Sequence, residues 1–315
     1  NTMAKKVKRN LQKEITDTII KSLKGGVAPW VKGWSGGQGG FPMNGGSKRR
    51  YNGVNVIHLL AVAQFRGFAS NEWFTFKQAN TAGGRVKRGE KGTTVVFTKW
   101  NTVVKEDPET GEEKEHSYPM LIGHTVFNRD QLEGMPEPEA VEEMPEKLRH
   151  ERADALVKLT GAKITYGDSR AYYRPSSDSI SMPSIEQFEH ESEFYSTSFH
   201  ELVHWTGHRT RLDRLKYENF GSEGYSFEEL VAELGAAFTC GEVGIEGKLQ
   251  HAEYIGSWIK VLENDYSAIF KAASLAEKAT TYLLDFETED KGLELEDAWN
   301  AFFEWEKSRI GREVA

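Results

Sequence analysis

The chain has 315 residues, of which 38% are hydrophobic and 28% charged, with a mean hydropathy of -0.58. This length predicts about two domains of roughly 100–200 residues each. No run approaches the roughly 18 consecutive apolar residues of a membrane span, and the basic N-terminus lacks the apolar segment of a secretory signal. The single cysteine, Cys240, excludes an intramolecular disulfide and a cysteine-built metal site. We therefore expect a cytoplasmic protein with no membrane partner, in which His and carboxylates hold any metal.

Charge is divided unevenly along the chain. Residues 1–100 hold 18 Lys and Arg against 4 Asp and Glu, a net charge of +14, whereas the remaining residues hold 22 and 44, a net charge of -22. A strongly basic segment attracts polyanions, and an acidic one is repelled by phosphate. The basic half is also rich in aromatic residues, so it predicts nucleic-acid binding, and the acidic half predicts a second task.

The basic half is predicted to contain two helices and a small antiparallel sheet. Helices are indicated by apolar residues three to four apart, loops by glycine clusters, and strands by β-branched and aromatic runs between turns. In chain order these elements are a helix over 3–24, a mobile glycine-rich loop over 27–53, a helix over 54–66, strand signals at Phe74 and Phe76, a strand over 93–104, and a hairpin of 101–106 with 117–128.

The acidic half begins after a stretch with three prolines, which predicts a linker. Beyond it a helix and three short strands are followed by a run of helices, so the whole chain is predicted to be an α+β protein of two domains. The predicted boundaries are a basic DNA-binding domain over 1–130, a linker over 131–145 and a mainly helical domain over 146–315, with helices at 146–161, 192–208, 226–244, 251–265, 266–286 and 296–310 and strands at 163–167, 171–174 and 179–183.

Residues 200–204 read His-Glu-Leu-Val-His, the HExxH pattern of metalloproteases. On a helix, residues four apart share one face, so the imidazoles of His200 and His204 can converge on one Zn²⁺. Glu201 is turned by one residue towards the water that such an ion would bind. The apolar neighbours of the motif indicate a helix buried in a core, where unpaired polar residues are unfavourable.

A catalytic zinc needs a third protein ligand. Glu229 and Glu233 lie four apart on an apolar helix, whereas Glu228 is expected to fall a residue to the side. Burying two carboxylates is costly unless they are paired or bind a cation. We predict Glu229 as the third ligand and Glu233 as the acceptor of a histidine N–H. His208 and Asp213 are the rival ligands.

Such a site predicts peptide hydrolysis. Glu201 would act as the general base, and the metal would lower the pKa of its water. Zinc is the expected ion, with another divalent metal such as Mn²⁺ as the alternative. Three polar residues downstream are candidates for stabilising the oxyanion, namely Tyr225, His251 and Tyr254.

The HExxH helix followed by a helix with a ligating glutamate resembles the glutamate-type zincins. The strings FHELVHWTGH, EELVAELGAAF and EYIGSWIKVLEND, with APW, RRYNGVN and WFTFKQA in the basic half, resemble the ArdC-type antirestriction proteins of conjugative plasmids over nearly the whole chain. The resemblance implies a single-stranded-DNA-binding domain joined to a zincin-like metallopeptidase domain, and protection of incoming DNA from restriction. It also implies a metal site on His200, His204 and Glu229, with Glu201 as base.

Single-stranded DNA is held by cations that follow the phosphates and by aromatic faces on which bases stack. Aromatic residues in the glycine-rich loop are predicted to stack on bases, while Phe65, Phe74 and Phe76 are expected to pack in the core. The predicted DNA-binding residues are Trp30, Lys32, Trp34, Lys48, Arg49, Arg50, Tyr51, Arg85, Lys87, Arg88 and Lys91.

These expectations combine into an antirestriction protein that binds single-stranded DNA and carries a zinc peptidase-like site. Two alternatives stay open. One is a metallopeptidase that acts on a host protein recruited by the basic domain, and the other is a DNA-coating protein whose metal site is structural. Glu201 distinguishes a catalytic metal site from a structural one, because a structural site needs ligands but no general base.

Overall fold

A computed structural model describes residues 9–31, 40–106, 113–138, 144–215, 222–247 and 252–288. Helices and antiparallel strands are mixed along the chain, which confirms the predicted α+β class. Among the described helices, none combines the length and the apolar character needed to cross a bilayer.

Within its described residues, the basic half forms two longer helices, one short helix and six strands. The first helix starts where the Asn10 side chain accepts a hydrogen bond from the Lys13 N–H at 3.1 Å, and the second ends at Gly67 in the left-handed conformation. The elements are α1 (Leu11–Lys24), β1 (Met43–Asn44), α2 (Val54–Arg66), β2 (Glu72–Thr75), α3 (Phe76–Thr81), β3 (Arg85–Val86), β4 (Thr93–Glu106), β5 (Glu113–Asn128) and β6 (Leu132–Glu133).

The main sheet has the strand order β1-β2-β5-β4, and β3 pairs separately with β6. The long hairpin of β4 and β5 is antiparallel, with Thr93 opposite Val126 and Glu106 opposite Glu113. Strand β2 pairs with β5 only through Trp73–Thr75, so most of the hairpin extends beyond the other described strands of this sheet. We call this extension, residues 94–106 and 113–125, the β-arm. Five of the eight exposed large hydrophobic side chains among the described residues lie on it.

The acidic half is mainly helical with a three-stranded sheet of order β7-β9-β8, in which β7 and β9 are parallel and β8 is an antiparallel edge strand. Its elements are α4 (Glu146–Leu159), β7 (Lys163–Tyr166), β8 (Tyr172–Arg174), β9 (Ser179–Met182), α5 (Glu191–Thr206), α6 (Glu223–Val243), α7 (Ile255–Asn264) and α8 (Ala268–Thr288).

One hydrophobic core connects the two halves. Trp30 of the basic half packs on Trp258 of α7 with ring centroids 6.0 Å apart, and Phe41 packs on Phe238 of α6 at 6.2 Å. The Thr16 hydroxyl also donates to the Tyr266 carbonyl at 2.9 Å. The basic and acidic halves therefore stabilise each other.

Several predicted elements differ from the observed ones. Phe76 begins a helix rather than a strand, because the side chains of Thr75 and Gln78 cap the first turn reciprocally. The segment predicted as a linker starts inside the first unit, where Leu132 is buried and pairs in β6. The predicted helix over 296–310 lies outside the described residues, as do residues 3–8 of the first predicted helix and residues 32–39 of the glycine-rich loop.

Candidate metal centre and nucleic-acid surface

Helices α5 and α6 bring the predicted metal-binding residues together. His200 and His204 face α6 one turn apart, and Glu229 faces them from α6. The helices can approach closely because position 235 is glycine. A Cβ at Gly235 would lie 2.7 Å from a methyl carbon of Val203, closer than real Cβ contacts allow. The absence of a side chain at Gly235 thus sets the distance between the two ligand-bearing helices.

The donor atoms of these three residues lie 3.2–3.6 Å apart, with a different oxygen of Glu229 facing each histidine. His200 Nε2 lies 3.2 Å from His204 Nε2 and 3.4 Å from Glu229 Oε2, and His204 Nε2 lies 3.6 Å from Glu229 Oε1. Two ligands bound tetrahedrally at about 2.0–2.1 Å are separated by about 3.3–3.4 Å. The observed donor spacing therefore fits a small tetrahedral cation. Within the described residues this is the single group of three His, Cys, Asp or Glu that could hold a metal.

Each imidazole also faces a carboxylate with its other nitrogen. Glu233 Oε1 lies 3.9 Å from His200 Nδ1, and Glu228 Oε1 lies 3.2 Å from His204 Nδ1. Glu228, which was expected to fall a residue to the side of Glu229 and Glu233, contacts His204 directly with its carboxylate. Arg214 in turn donates to both oxygens of Glu228 at 2.9 Å. Such carboxylates orient a ligating histidine and fix which nitrogen faces the metal.

The electrostatics of the cluster favour a cation. Burial alone would lower the pKa of His204, but Glu229 and Glu228 outweigh burial and raise it to about 10. Burial alone would raise the pKa of Glu229, but His204 and His200 outweigh it and hold that pKa well below its ordinary value. A field that retains a proton on a buried imidazole is also the field that stabilises a bound metal ion.

Glu201 is buried within the same turn of α5. Burial is the main cause that raises the pKa of its carboxyl to about 7, with His204 opposing the shift and Glu229 adding to it. The backbone N–H of Tyr173 in β8 donates to this carboxylate. A carboxyl with a pKa near neutrality is suited to exchange protons at physiological pH.

Two of the three oxyanion candidates lie beside the cluster. The phenol of Tyr225 is hydrogen-bonded to Glu229 and to Tyr254, and burial, followed by the charge of Glu229, raises its pKa far above the ordinary value. His251 lies outside the described residues. The rival ligand His208 is bonded to the Thr210 hydroxyl at 2.8 Å, and neither it nor Asp213 belongs to the donor group.

The structure buries two of the predicted DNA-binding residues and pairs a third, Arg50, with carboxylates of the acidic half. Trp30 is 1% and Tyr51 6% exposed, so neither ring offers a face to a base, and both predictions of base stacking were wrong. Arg50 is ion-paired with Glu242 at 3.0 Å and with Glu277, so phosphate contact by Arg50 is not supported either. The physical reason is the shared core, which uses these side chains to join the two halves.

The other predicted cations remain on the surface. Lys48 contacts the Glu72 carboxylate at 2.6 Å with 62% of its side chain exposed, and Arg85 contacts Glu133 at 2.7 Å with 78% exposed. Lys87 donates to a backbone carbonyl. Arg49, Arg88 and Lys91 are exposed, and Lys32 and Trp34 lie outside the described residues.

The aromatic residues expected in the core divide in two. Phe74 is buried, whereas Phe65 is 47% and Phe76 59% exposed. The outcome is the reverse of the expectation for these residues. Trp30 and Tyr51 of the glycine-rich segment fill the core, whereas Phe65 and Phe76 of the helices face solvent.

Comparisons with known proteins agree with both halves of the chain. The profile described as the N-terminal domain of anti-restriction factor ArdC matches residues 9–127, and that of a zincin-like metallopeptidase, MPTase-PolyVal, matches residues 151–275. An Escherichia coli protein named DNA primase TraC is 41% identical over an alignment of 298 positions that covers 89% of this chain. The chain spans only 28% of the length of that relative.

Two crystal structures are also similar, both of the antirestriction protein ArdC from plasmid R388. The metal-free form is 39% identical with a TM-score of 0.73, and the alignment covers 89% of this chain and 98% of that one. The Mn(II)-bound form is 36% identical with a TM-score of 0.73, covering 90% and 100%. This chain therefore belongs to the ArdC family of antirestriction proteins, with an ArdC-type N-terminal domain and a zincin-like metallopeptidase domain.

Proposed function

We propose that this chain counters restriction by binding single-stranded DNA through its basic half, and that its acidic half carries a metal-dependent peptidase site. The observation that carries the proposal is the convergence of His200 Nε2, His204 Nε2 and Glu229 within 3.2–3.6 Å, with the buried carboxyl of Glu201 in the same turn. Two imidazoles and one carboxylate form the ligand set of a catalytic zinc.

His200, His204 and Glu229 would hold the ion. Zinc suits these ligands, and manganese is the alternative because the R388 relative has a Mn(II)-bound structure. A divalent ion at this position supplies a water of lowered pKa and polarises a substrate carbonyl. Glu228 and Glu233 would keep the two imidazoles oriented from behind.

Glu201 would act as general base and then as general acid. It would accept a proton from the water that attacks the carbonyl carbon of a peptide bond, and it would return that proton to the amine nitrogen as the C–N bond breaks. Its pKa of about 7 suits both directions of transfer. The Tyr173 N–H would keep the carboxylate in place throughout. A purely structural metal site would not need a buried carboxyl at this position.

The basic half would meet the strand that enters the cell. The exposed cations Lys48, Arg49, Arg85, Arg88 and Lys91 suit phosphate contacts, which carry no sequence information. The proposal places this activity in the cytoplasm, where a restriction system meets incoming DNA. The proposal implies that the substrate of the peptidase site is a host protein that reaches the same DNA.

Glu201→Gln tests the peptidase part of the proposal, since glutamine keeps the shape of the side chain and cannot act as a base. Zinc- and manganese-loaded protein would be incubated with fluorescently labelled casein, and bound metal and affinity for a labelled oligo-dT would be measured in parallel. We expect the variant to keep metal and DNA binding and to lose hydrolysis.

The surface variant Glu186→Gln is the matched control, because Glu186 is exposed, and it should behave like the unmodified chain. Hydrolysis that persists in Glu201→Gln would identify a different base. Absence of hydrolysis in the unmodified chain, together with a fall in Tm on metal removal, would favour the DNA-coating protein with a structural metal.

A further inference from the structure

The first turn of α3 presents an exposed aromatic ring whose position is well fixed. Phe76 is 59% exposed although Phe74, two residues earlier, is 3% exposed. The Thr75 hydroxyl accepts from the Gln78 N–H at 3.2 Å, and the Gln78 side chain accepts from the Thr75 N–H at 2.8 Å. This reciprocal cap fixes the start of the helix and turns Phe76 away from the core.

The loop after β1 lies against this same turn. Gln78 Nε2 donates to Asn44 Oδ1 at 2.7 Å, and the Ser47 N–H donates to the same oxygen at 2.9 Å. The loop contains Gly45, where the Phe74 ring leaves no room for a larger residue, and Gly46, where a larger residue would displace the Gln78 side chain. A Cβ at Gly45 would lie 2.0 Å from the Phe74 ring, and a Cβ at Gly46 would lie 2.7 Å from the Gln78 side chain. The close approach keeps the loop on α3.

The surface around Phe76 is basic. Residues 44–50 and 73–81 contain four Lys or Arg and no Asp or Glu. One of the four, Arg50, points into the junction between the halves, which leaves Lys48, Arg49 and Lys77 exposed. The nearby Glu72 is buried, and Lys48 and Arg129 both contact it at 2.6 Å, so its charge is compensated.

We infer that Phe76 is a base-stacking platform for single-stranded DNA, with Lys48, Arg49 and Lys77 as its phosphate contacts. An exposed aromatic face among cations is the arrangement that binds single strands without sequence preference. The inference rests on the proposed function and adds a specific site to it. The proposed site draws its residues in part from the segments WFTFKQA and RRYNGVN. The other aromatic residues of these segments, Trp73, Phe74 and Tyr51, are buried.

Other exposed aromatic residues suit this role less well. The Lys21 ammonium lies over the Phe65 ring, 5.0 Å from its centroid, and covers one face. Trp100 is 65% exposed but lies on the β-arm, and residues 105–116 at the far end of that arm include six carboxylates and two lysines. That charge repels phosphate.

The test compares Phe76→Ala with Phe65→Ala in the full chain, using fluorescence anisotropy of a labelled oligo-dT over a series of salt concentrations. Base stacking on one aromatic residue corresponds to an affinity loss of about 5–150-fold for Phe76→Ala. The slope of log affinity against log salt should stay unchanged, because no phosphate contact is removed. Lys77→Ala should flatten that slope by about 0.7.

Phe65→Ala is the matched control and should bind like the unmodified chain, and Phe76→Trp should restore binding. Equal affinity of Phe76→Ala and the unmodified chain would overturn this inference alone. A loss seen with Trp100→Ala but not with Phe76→Ala would move the platform to the β-arm. Absence of any binding by the unmodified chain in low salt would refute the DNA-binding part of the proposed function as well.

Discussion

Replacing Glu228 by Gln should weaken metal binding although Glu228 is not one of the three converging residues. Its carboxylate contacts His204 Nδ1 at 3.2 Å and is held by Arg214, whose side chain is only 6% exposed. The variant removes the charge that orients His204. It also leaves a buried guanidinium without its carboxylate next to that imidazole.

Both consequences oppose a bound cation. A carboxylate that orients a ligating histidine is worth about 10–100-fold in metal affinity. Because the uncompensated Arg214 adds to this loss, we expect a value near 100-fold, which is about 2.7 kcal/mol. Breaking the buried ion pair should also lower the free energy of unfolding by up to about 3–5 kcal/mol. Glutamine limits that loss, since its amide oxygen can still accept from Arg214.

Metal affinity would be measured by competition with a chromogenic chelator, using dialysed protein whose fold is checked by circular dichroism. Glu186→Gln makes the same chemical change at an exposed position and should leave the affinity unchanged. Glu229→Gln removes a ligand and should lose more affinity than Glu228→Gln. If Glu228→Gln bound zinc as tightly as the unmodified chain, the orienting role of this carboxylate would be refuted.

Two further predictions concern packing and pH. Gly235→Ala should lower the free energy of unfolding by about 1–3 kcal/mol and weaken metal binding, because its methyl group would collide with Val203 and push α6 from α5. Gly256→Ala, where a Cβ meets nothing within 4 Å, should be neutral or stabilising, and equal effects of the two variants in urea unfolding would contradict the packing argument. Burial lowers the pKa of His58 to about 4, against about 6.5 in the unfolded chain. The unfolded state therefore binds the proton first as pH falls. The free energy of unfolding should drop by about 2 kcal/mol between pH 7 and pH 5. His58→Phe should reduce that drop, and an unchanged pH dependence would show that His58 is not the group responsible.

The donor group was predictable because helix geometry fixes it locally. Residues four apart share one face, so His200 with His204, and Glu229 with Glu233, could be paired before the fold was known. The contact between Glu228 and His204 was not predicted, for a tertiary reason. Its contact with His204 depends on how α6 crosses α5 and on Arg214, a residue in the segment that follows α5.

The aromatic residues show a second limit of the sequence. Composition places Trp30 and Tyr51 in a glycine-rich, basic segment, which is typical of a mobile binding loop. Burial of Trp30 is decided by Trp258, more than two hundred residues later in the chain. Exposure of Phe76 is decided by the cap on α3 and by the loop packed against it. Local pattern supplies the residue types, and long-range packing selects which of them face solvent.

The same packing changes how the charge division should be interpreted. Part of the basic excess of the first hundred residues is paired with carboxylates of the acidic half, since Lys24 contacts Glu263 at 2.6 Å and Arg50 contacts Glu242 at 3.0 Å as well as Glu277. These pairs anchor the basic half to α6, α7 and α8.

A fragment that ended near residue 130 would expose Trp30 and leave Arg50 without its carboxylates. Binding by such a fragment would therefore mix the native surface with an artificial one. Measured in the full chain, the salt dependence of DNA binding reports cations that remain exposed, and these include the cations around Phe76 and in the turn between β3 and β4.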